Sequence, residues 1–484
     1  MVSALVLRDA EVDGERVDVR VEGGLIAAVG PRGGAVGVRG ADEVLECGGA
    51  ALIPGLHDHH LHLLSMAAAD ASVDVSRGLD GVIRRADAQA LPGAAIRAVG
   101  YDEVRDGPLD RWRLDALAPG RALRVQHRSG ALWVLSTVAL QEVGAFEAGE
   151  EGIERDHLDR PTGRLFRLDG WLRGRGTGQG QERGPGSGGL PDRSPDRVPP
   201  DLAAVGRRLA SYGVTGATDC TPAADLAYFE PIAGAVRSGS LPLTVWVTGG
   251  PELSEATPPH PLHRGPVKIL ITDHAFPSLA QVSEGFARAH RAGRTVAVHC
   301  VSRAGLLLAL AAWRAVGSIP GDRVEHASVV PLEVVASLRE LSLTVVTQPG
   351  FLAARGDAYL AEVELDDRPD LYRCASLQQG GVPVGGSTDA PFGPDDPWVA
   401  IRSAIERRAA SGATVGSDRG LEPAAALDLF LGPPEHPGGP RRRVTPGAVA
   451  DLCLLNVPLR TALLEPDRGH VAATFAGGRR TYTA

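Results

Sequence analysis

The amino-acid sequence predicts an α/β protein: a (β/α)8 TIM-type barrel with a small β-sandwich built from both termini and an inserted subdomain after barrel strand 1. Three observations favour this fold class. Both ends of the chain alternate apolar and polar residues between frequent glycines, which is typical of short antiparallel strands. The middle alternates short apolar runs with helical segments, the pattern of a parallel sheet with crossover helices. The first two apolar runs are too far apart for one ordinary connection.

The apolar runs of the middle region are the predicted barrel strands. Segments between them, such as 278–293 and 303–317, are alanine-rich and have a helical period. Eight strands are the number that a TIM-type barrel needs. The predicted strands cover 51–56, 213–220, 241–249, 266–272, 295–300, 323–328, 343–349 and 381–389.

These patterns set the predicted domain boundaries. Residues 1–52 and 431–484 form the two parts of the β-sandwich, and residues 53–430 form the barrel. The inserted subdomain covers about 67–200. Its end, 173–197, is low-complexity Gly/Arg/Pro sequence, which predicts a disordered segment that either closes over a site or stays solvated.

Composition argues against several classes of function. The net charge of −9 is spread along the chain without a basic stripe, which argues against a nucleic-acid partner. No apolar run is long enough to span a bilayer, and the N-terminus becomes charged too early for a signal peptide. The five cysteines are scattered and form no CxxC motif, as expected of small buried residues in a reducing cytoplasm. We therefore expect a cytoplasmic protein with a small-molecule substrate, and the sequence leaves a homodimer open.

One residue stands out in the composition. All but one of the 50 basic residues are arginine, and Lys268 is the single lysine. Arginine-rich usage is usually a genomic bias, but arginine stays protonated in proteins, whereas a desolvated lysine can become a neutral nucleophile. A neutral lysine reacts with CO₂ to give a carbamate, which can bridge two metal ions. Lys268 is therefore a candidate metal-site residue.

The strongest local motif is PGLHDHHLHLL, which begins at Pro54. His60 and His62 are separated by one residue, so that on a strand both imidazoles lie on one face and reach one metal ion. Asp58 is close enough to orient a ligating histidine. The alternative is an accidental surface cluster, but the motif follows an apolar strand and a tight turn.

Further polar residues lie where predicted strands end. His299, His326 and Asp389 each follow an apolar run, and the C-terminal strand ends of a barrel converge on one cavity. Taken singly, each is equally a strand-end histidine or a helix cap. Lys268 on the fourth strand would be costly to bury without a partner, and a carbamate between metal ions would satisfy it.

In these segments the chain resembles the amidohydrolase superfamily, and within it the amidohydrolase-3 branch that includes N-substituted formamide deformylases. The resemblance covers nearly the whole length. It is carried by PGLHDHHLHL, KILITD, AVHC, VEHAS, GGSTDAP and VTPGAVADLCLLN, and by the insert motifs YDEVRDGPLDRWRLDALAPGRALRVQHRSG and RPTGRLF.

The resemblance implies a site with one or two divalent metal ions, by default Zn²⁺. His60 and His62 would bind one ion, His299 and His326 the other, and N-carboxylated Lys268 would bridge them. Asp389 would ligate weakly and carry the proton from a metal-activated water to the leaving nitrogen. His326 or His299 would also stabilise the tetrahedral oxyanion.

The function implied is hydrolysis of a C–N bond in an amide, an N-formyl compound or a cyclic amide. The alternatives are a deaminase or an isomerase on the same metal site, and a non-catalytic metal-binding barrel. Retention of Asp389 counts against the last, because a structural site needs no proton carrier.

The candidate substrate contacts follow barrel strands or lie in the insert. For each one the alternative is packing or surface charge, and Asp273 is equally suited to cap the following helix. The chain has Ser-Gly-Ala at 129–131 and Leu-Ser at 135–136, where many relatives have Asp-Gly-His and Asn-Ser, which predicts a less polar pocket. The candidates are Arg128, Trp133, Asp273, Gln348, Arg355, Tyr359 and Trp398.

Overall fold

The structure is a computed structural model that describes residues 4–34, 41, 43–176, 201–222, 225–273 and 275–484. It divides into two compact units, one formed by Met1–Leu63 with Leu202–Ala484 and one formed by Leu64–Asp201. Most of the low-complexity segment that was predicted to be disordered, 177–197, lies outside the described residues, and 173–176 belongs to a helix.

The first part of the larger unit is made of strands. Its first four strands form one sheet in the order β3-β2-β1-β4, antiparallel except where β4 pairs with β1. The strands are β1 Leu5–Val12, β2 Glu15–Glu22, β3 Leu25–Pro31, β4 Glu43–Glu46, β5 Leu52–Pro54 and β6 Leu56–Leu61.

The unit formed by Leu64–Asp201 contains one six-stranded sheet in the order β11-β12-β10-β9-β8-β7. Buried side chains such as Leu114, Val125 and Val134 form its core. Its elements are α1 Leu63–Asp70, β7 Val73–Asp74, α2 Asp80–Gln89, β8 Ile96–Tyr101, α3 Glu103–Asp106, α4 Arg111–Leu117, β9 Leu123–His127, β10 Leu132–Leu135, α5 Thr137–Glu142, β11 Ile153–Arg155, β12 Pro161–Phe166 and α6 Asp169–Gly176.

The rest of the larger unit alternates strands and helices before it returns to antiparallel strands. Its elements are α7 Leu202–Ser211, β13 Val214–Asp219, α8 Leu226–Ser238, β14 Thr244–Val247, β15 His263–Arg264, β16 Val267–Leu270, α9 Leu279–Arg291, β17 Val296–Cys300, α10 Arg303–Val316, β18 Arg323–His326, α11 Val335–Glu340, β19 Thr344–Thr347, α12 Gly350–Glu362, α13 Cys374–Gln379, β20 Val384–Gly386, α14 Pro397–Glu406, α15 Pro423–Asp428, β21 Leu452–Leu455, α16 Leu459–Ala462, β22 Val471–Ala476 and β23 Arg479–Thr483.

Two parallel sheets carry the candidate site. One has the order β15-β14-β13-β6 and the other the order β16-β17-β18-β19-β20. Backbone hydrogen bonds connect the sheets on both sides: Lys268 N–H donates to the Gly249 carbonyl at 2.7 Å, and Asp389 N–H donates to the His60 carbonyl at 2.8 Å. Parallel strands with helical crossovers in this order give a TIM-barrel-like arrangement.

The first barrel strand was predicted at 51–56, but the structure has it one element later in the chain. Leu52–Pro54 forms β5, which pairs antiparallel with β21, whereas the strand parallel to β13 is β6, one step further along. The break between them is at Gly55, where a Cβ would lie 2.3 Å from the Thr215 side chain. Only glycine allows the backbone to pass this close, and Pro54 has no N–H to continue a ladder.

The terminal strands form two sheets that share one apolar core. The second sheet has the order β23-β22-β21-β5. Leu7 and Val19 of the first sheet belong to the same buried cluster as Leu52, Leu454 and Phe475 of the second. Strands from both ends of the chain therefore pack together as two layers, next to the start of β6.

Asp322, just before β18, holds several neighbouring elements through one buried carboxylate. Its oxygens accept hydrogen bonds from Val296 N at 2.9 Å, Trp313 Nε1 at 2.9 Å, Ile319 N at 3.1 Å and His290 Nε2 at 3.0 Å. These donors lie on or beside α9, β17 and α10, so one side chain fixes the helices against the strand that carries His299.

Asp322→Ala is expected to destabilise the protein by at least ~3 kcal/mol, because it leaves several buried donors without acceptors. Urea unfolding followed by circular dichroism measures the effect. Asp357→Ala is the control, since Asp357 is exposed and its carboxylate accepts hydrogen bonds from Ser411 at the surface. Equal midpoints for the two variants would contradict the structural role of Asp322.

Candidate metal centre

Strand ends of the two parallel sheets bring the predicted ligands together. His60 lies near the end of β6 and His62 follows it; His326 is the last residue of β18. Asp389 follows β20, while Lys268 and His299 lie within β16 and β17. Barrel enzymes carry their active sites at the carboxyl ends of the strands.

Two of these side chains, His60 and His62, meet at the Asp389 carboxylate, and Lys268 contacts His60. Asp389 Oδ1 lies 3.1 Å from His62 Nε2 and 3.6 Å from His60 Nε2. Lys268 Nζ lies 3.3 Å from the same His60 nitrogen, and the lysine side chain is only 3% exposed. Ligand atoms of His60, His62 and Asp389 all lie within 4.8 Å of one another, which is close enough for a shared metal ion.

The other two histidines extend this cluster. The ring centroids of His299 and His326 are 4.5 Å apart, and those of His60 and His326 are 4.8 Å apart. His326 Nδ1 is 3.9 Å from Asp389 Oδ2. All six residues singled out as ligands therefore belong to one contiguous, largely buried group.

Glu325, which was not predicted from the sequence, contacts His60 through its carboxylate. Glu325 Oε2 is 2.5 Å from His60 Nδ1, and Glu325 Oε1 is 2.6 Å from Arg323 Nε. Burial and the Lys268 charge lower the pKa of His60 to about 3, so the imidazole is neutral and its Nδ1–H donates to Glu325. Burial opposes ionisation of Glu325, but Arg323 and His60 outweigh it and hold the pKa of this carboxyl well below its usual range.

The contact with Glu325 determines which nitrogen of His60 faces the cluster. Because Nδ1 carries the proton, Nε2 is a lone-pair donor directed towards the Asp389 carboxylate region. Two electron-rich groups this close are stabilised by a cation between them. A histidine whose Nδ1–H is held by a carboxylate is the usual arrangement of a metal ligand. The donor set thus fits a divalent ion.

Cys220 lies beside the same ion pair. His60, Cys220 and Glu325 also place ligand-type atoms within 4.8 Å of one another. Arg323 is already the cation here, with its guanidinium 3.6 Å from Cys220 Sγ and at ion-pair distance from Glu325. Burial raises the pKa of the Cys220 thiol, so it stays protonated. We interpret this group as a support for His60.

Asp58 connects β6 to the loop that carries Asp389. Its carboxylate accepts hydrogen bonds from His60 N at 3.1 Å, from Thr388 N at 3.2 Å and from the Thr388 hydroxyl at 2.5 Å. Complete burial raises the pKa of Asp58 to about 7. Asp58 therefore orients the backbone on both sides of the cluster.

The backbone is unusual at two of the predicted ligands. His326 has a φ of 70° and Asp389 a φ of 55°, both in the left-handed region that non-glycine residues rarely adopt. Each such residue costs about 1–3 kcal/mol. The Thr347 hydroxyl donates to the His326 carbonyl at 2.8 Å, which helps to hold the conformation. Strain of this kind is typical of functional sites.

Hydroxyl and amide groups hold the imidazoles of His62 and His326. His62 Nδ1 lies 3.1 Å from the Thr221 hydroxyl, which is itself 3.1 Å from the Tyr228 hydroxyl. His326 Nδ1 lies 2.9 Å from Gln348 Oε1. Gln348, a candidate substrate contact, is completely buried and bonded at both ends of its amide.

A group of aromatic side chains begins beside His62. The Phe392 ring lies 5.4 Å from that of His62, and Arg355 donates to the Phe392 carbonyl while its guanidinium lies 4.4 Å from the centre of the Phe351 ring. The Tyr359 hydroxyl is 3.1 Å from that of Tyr372. Of this group, Phe392 contacts the predicted ligand His62, and Arg355 is connected to it through the Phe392 carbonyl.

Two other candidates from the larger unit have structural partners. Asp273 accepts a hydrogen bond from the Ser302 hydroxyl at 2.5 Å, at the N-cap of α10. Trp398 is fully buried, and its indole N–H donates to the Tyr212 carbonyl at 3.0 Å. The structure therefore gives Trp398 a packing role.

Arg128 and Trp133 belong to the other unit. Arg128 forms an ion pair with Asp102 at 3.0 Å. Trp133 donates its indole N–H to Asp169 at 2.8 Å, and Arg97 lies 5.0 Å from the centre of its ring. Each thus has partners inside its own unit.

Comparison with known proteins identifies the family to which the chain belongs. The profile of the Amidohydrolase family matches residues 43–482. The N-substituted formamide deformylase of Arthrobacter pascens is 26% identical over 476 residues, covering 87% of this chain and 86% of that protein. The putative amidohydrolase YtcJ of Bacillus subtilis (strain 168) is 23% identical over 450 residues, covering 82% and 81%. An uncharacterized metal-dependent hydrolase from Pyrococcus horikoshii OT3 has a similar structure, with a TM-score of 0.70 at 18% identity over 99% of this chain and 100% of that one.

The chain belongs to the amidohydrolase family, and it is an enzyme. The resemblance inferred from the motifs is confirmed. The likeness to the solved hydrolase shows a TIM-barrel-like α/β fold. Among the described residues, no helix combines the length and the apolar character that crossing a membrane would require.

Proposed function

We propose that this chain is a metal-dependent hydrolase that cleaves a C–N bond in a small amide, N-formyl compound or cyclic amide. The observation that carries the proposal is the buried meeting of His60 Nε2, His62 Nε2 and Asp389 Oδ1, within reach of Lys268. The family membership and the name of the formamide deformylase relative support the reaction class.

The residues would divide between one or two ions, with Zn²⁺ the default for imidazole donors. His60 and His62 would hold one ion, and His299 and His326 the other. N-carboxylated Lys268 would lie between them: its neutral amine adds to CO₂ and releases one proton, leaving a carbamate. Lys268 Nζ is close enough to His60 for such a group to share its ion.

When bound, the divalent ion supplies Lewis-acid polarisation of the carbonyl and a water of lowered pKa. Asp389 is suited to accept the proton of the attacking water. Burial opposes its charge, but the His62 hydrogen bond and the neighbouring histidines lower the pKa of Asp389, so it is a carboxylate at neutral pH. Asp389 then delivers the proton to the leaving nitrogen, so that an acid and an amine are released.

His326 has one nitrogen available for these roles. Its Nδ1 is engaged by Gln348, so Nε2 alone remains, either as a metal ligand or as a donor to the oxyanion. Arg355, which donates to the carbonyl of Phe392, the aromatic residue beside His62, would contact substrate through its guanidinium or its aromatic neighbours.

Metal content and hydrolysis test this proposal together. Protein purified without chelator is expected to contain one to two equivalents of divalent metal and to hydrolyse members of a panel of N-formyl and N-acyl amines. Treatment with a chelator should abolish hydrolysis, and zinc with bicarbonate should restore it. Lys268→Met keeps an unbranched side chain, one atom shorter, that has no amine to carboxylate, so it is expected to lose at least one equivalent.

Product analysis separates the outcomes. Release of an acid and an amine supports amide hydrolysis, whereas ammonia as the product indicates deamination on the same site. Wild-type protein without metal after reconstitution with zinc and bicarbonate would overturn the proposal.

A further inference from the structure

Gln348 connects His326 to a second polar residue inside the protein. Its Oε1 lies 2.9 Å from His326 Nδ1, and its Nε2 lies 2.9 Å from the Ser387 hydroxyl. The Ser387 hydroxyl lies 3.2 Å from the Thr347 carbonyl. Gln348 and Ser387 are both fully buried, so these contacts form one continuous chain of hydrogen bonds away from solvent.

The positions of the protons give this series of hydrogen bonds a direction. A backbone carbonyl only accepts, so the Ser387 hydroxyl proton is donated to Thr347. The Ser387 oxygen then accepts from the Gln348 NH₂ group, which turns Gln348 Oε1 towards His326. An amide oxygen only accepts as well, so His326 Nδ1 carries a proton and Nε2 keeps its lone pair.

We propose that Gln348 and Ser387 are positioning residues that hold His326 in the tautomer able to bind metal. The inference rests on the proposed metal site. It assigns Gln348, first considered as a substrate contact, to the support of a ligand. The inference is supported by the direction of the hydrogen bonds that run from Thr347 through Ser387 and Gln348 to His326.

The opposite orientation of the amide would have the opposite effect. If the Gln348 NH₂ group faced His326, it would donate to Nδ1, and the ring proton would move to Nε2. A protonated Nε2 has no lone pair for a metal ion. The two orientations place the same atoms in nearly the same positions, so the Ser387 hydroxyl is what distinguishes them. Ser387 thus influences the ligand through the amide between them.

Zinc affinity, measured by competition with a fluorescent chelator, tests the inference. Ser387→Ala is expected to weaken zinc binding about tenfold, because partners of this kind contribute about 10–100-fold to affinity. Gln348→Glu is expected to bind zinc at least as tightly as wild type, since both carboxylate oxygens accept. Gln348→Glu combined with Ser387→Ala should restore wild-type affinity, because a carboxylate has no orientation to lose.

Ser403→Ala is the matched control, a buried serine on α14. Rescue by the double variant would also show that the loss in Ser387→Ala does not come from misfolding. Ser387→Ala with the affinity of wild type and of Ser403→Ala would overturn the inference, as would a double variant as weak as Ser387→Ala. Wild-type protein that binds no zinc would instead overturn the proposed function, and this inference with it.

Discussion

Asp389→Asn is expected to lower kcat for a hydrolysed N-formyl or N-acyl amine by about 10²–10⁴-fold, the usual contribution of general acid–base catalysis. Asparagine keeps the size and one ligating oxygen but accepts no proton at neutral pH. Since His62 and His60 still face this position, metal content should remain close to wild type. Steady-state kinetics and elemental analysis on the same preparation measure the two effects.

Asp357→Asn is the control for the chemical change, because Asp357 is exposed and its carboxylate bonds Ser411 instead of a residue of the cluster. Its kcat should match wild type. If Asp389→Asn retained more than a tenth of the wild-type kcat, another group would have to carry the proton. If it lost its metal as well, Asp389 would be mainly a ligand.

Arg323→Met is expected to destabilise the protein by about 3–5 kcal/mol, the effect of leaving one partner of a buried ion pair alone. Glu325 is completely buried and has Arg323 at 2.6 Å, so without the guanidinium its charge loses its ion-pair partner and keeps only the hydrogen bond from His60 at this distance. The urea unfolding midpoint measures the loss. Methionine keeps an unbranched side chain but removes the charge together with the guanidinium hydrogen bonds to the His59 carbonyl and Cys220 Sγ.

A double variant separates charge from packing. Arg323→Met with Glu325→Gln has neither charge and should recover much of the lost stability. Zinc affinity should nevertheless stay below wild type, because His60 Nδ1 then donates to a neutral amide instead of a carboxylate. A double variant no more stable than Arg323→Met would show that the ion pair is not the source of the effect.

The clustering of the predicted ligand residues could be expected from the sequence because most of them carry a local signal. His60 and His62 alternate on a strand, and Lys268 is the single lysine of the chain. His326 and Asp389 follow apolar runs, and barrel topology brings such ends together. Local spacing and one topological rule were sufficient for these residues.

Residues that support the ligands depend on distant neighbours. Glu325 is an acidic residue in the short strand RVEH, two positions after Arg323, and this pairing of opposite charges is a signal that could have indicated an ion pair. Its partner His60 is 265 positions away, so only the fold shows what Glu325 does. Gln348 and Trp398 follow strands as pocket residues do, but their side chains turn into the protein.

The misplaced first strand has a different cause. An apolar run of six residues contains no information about which sheet receives it, and 51–56 is divided at Pro54 and Gly55 between two sheets. The close approach of Gly55 to Thr215 is a tertiary contact, and tertiary contacts override short apolar patterns.

The pairing of β5 with β21 has a consequence for biogenesis. β5 leads through Gly55 directly into β6, the strand of His60, yet its hydrogen-bonding partner is synthesised only after almost the entire remaining chain. Pairing over so long a sequence separation is slow and comes late in folding. On the ribosome, the segment that leads into His60 therefore waits for the C-terminal strands, and during this interval its apolar edge is open to chaperones or to aggregation.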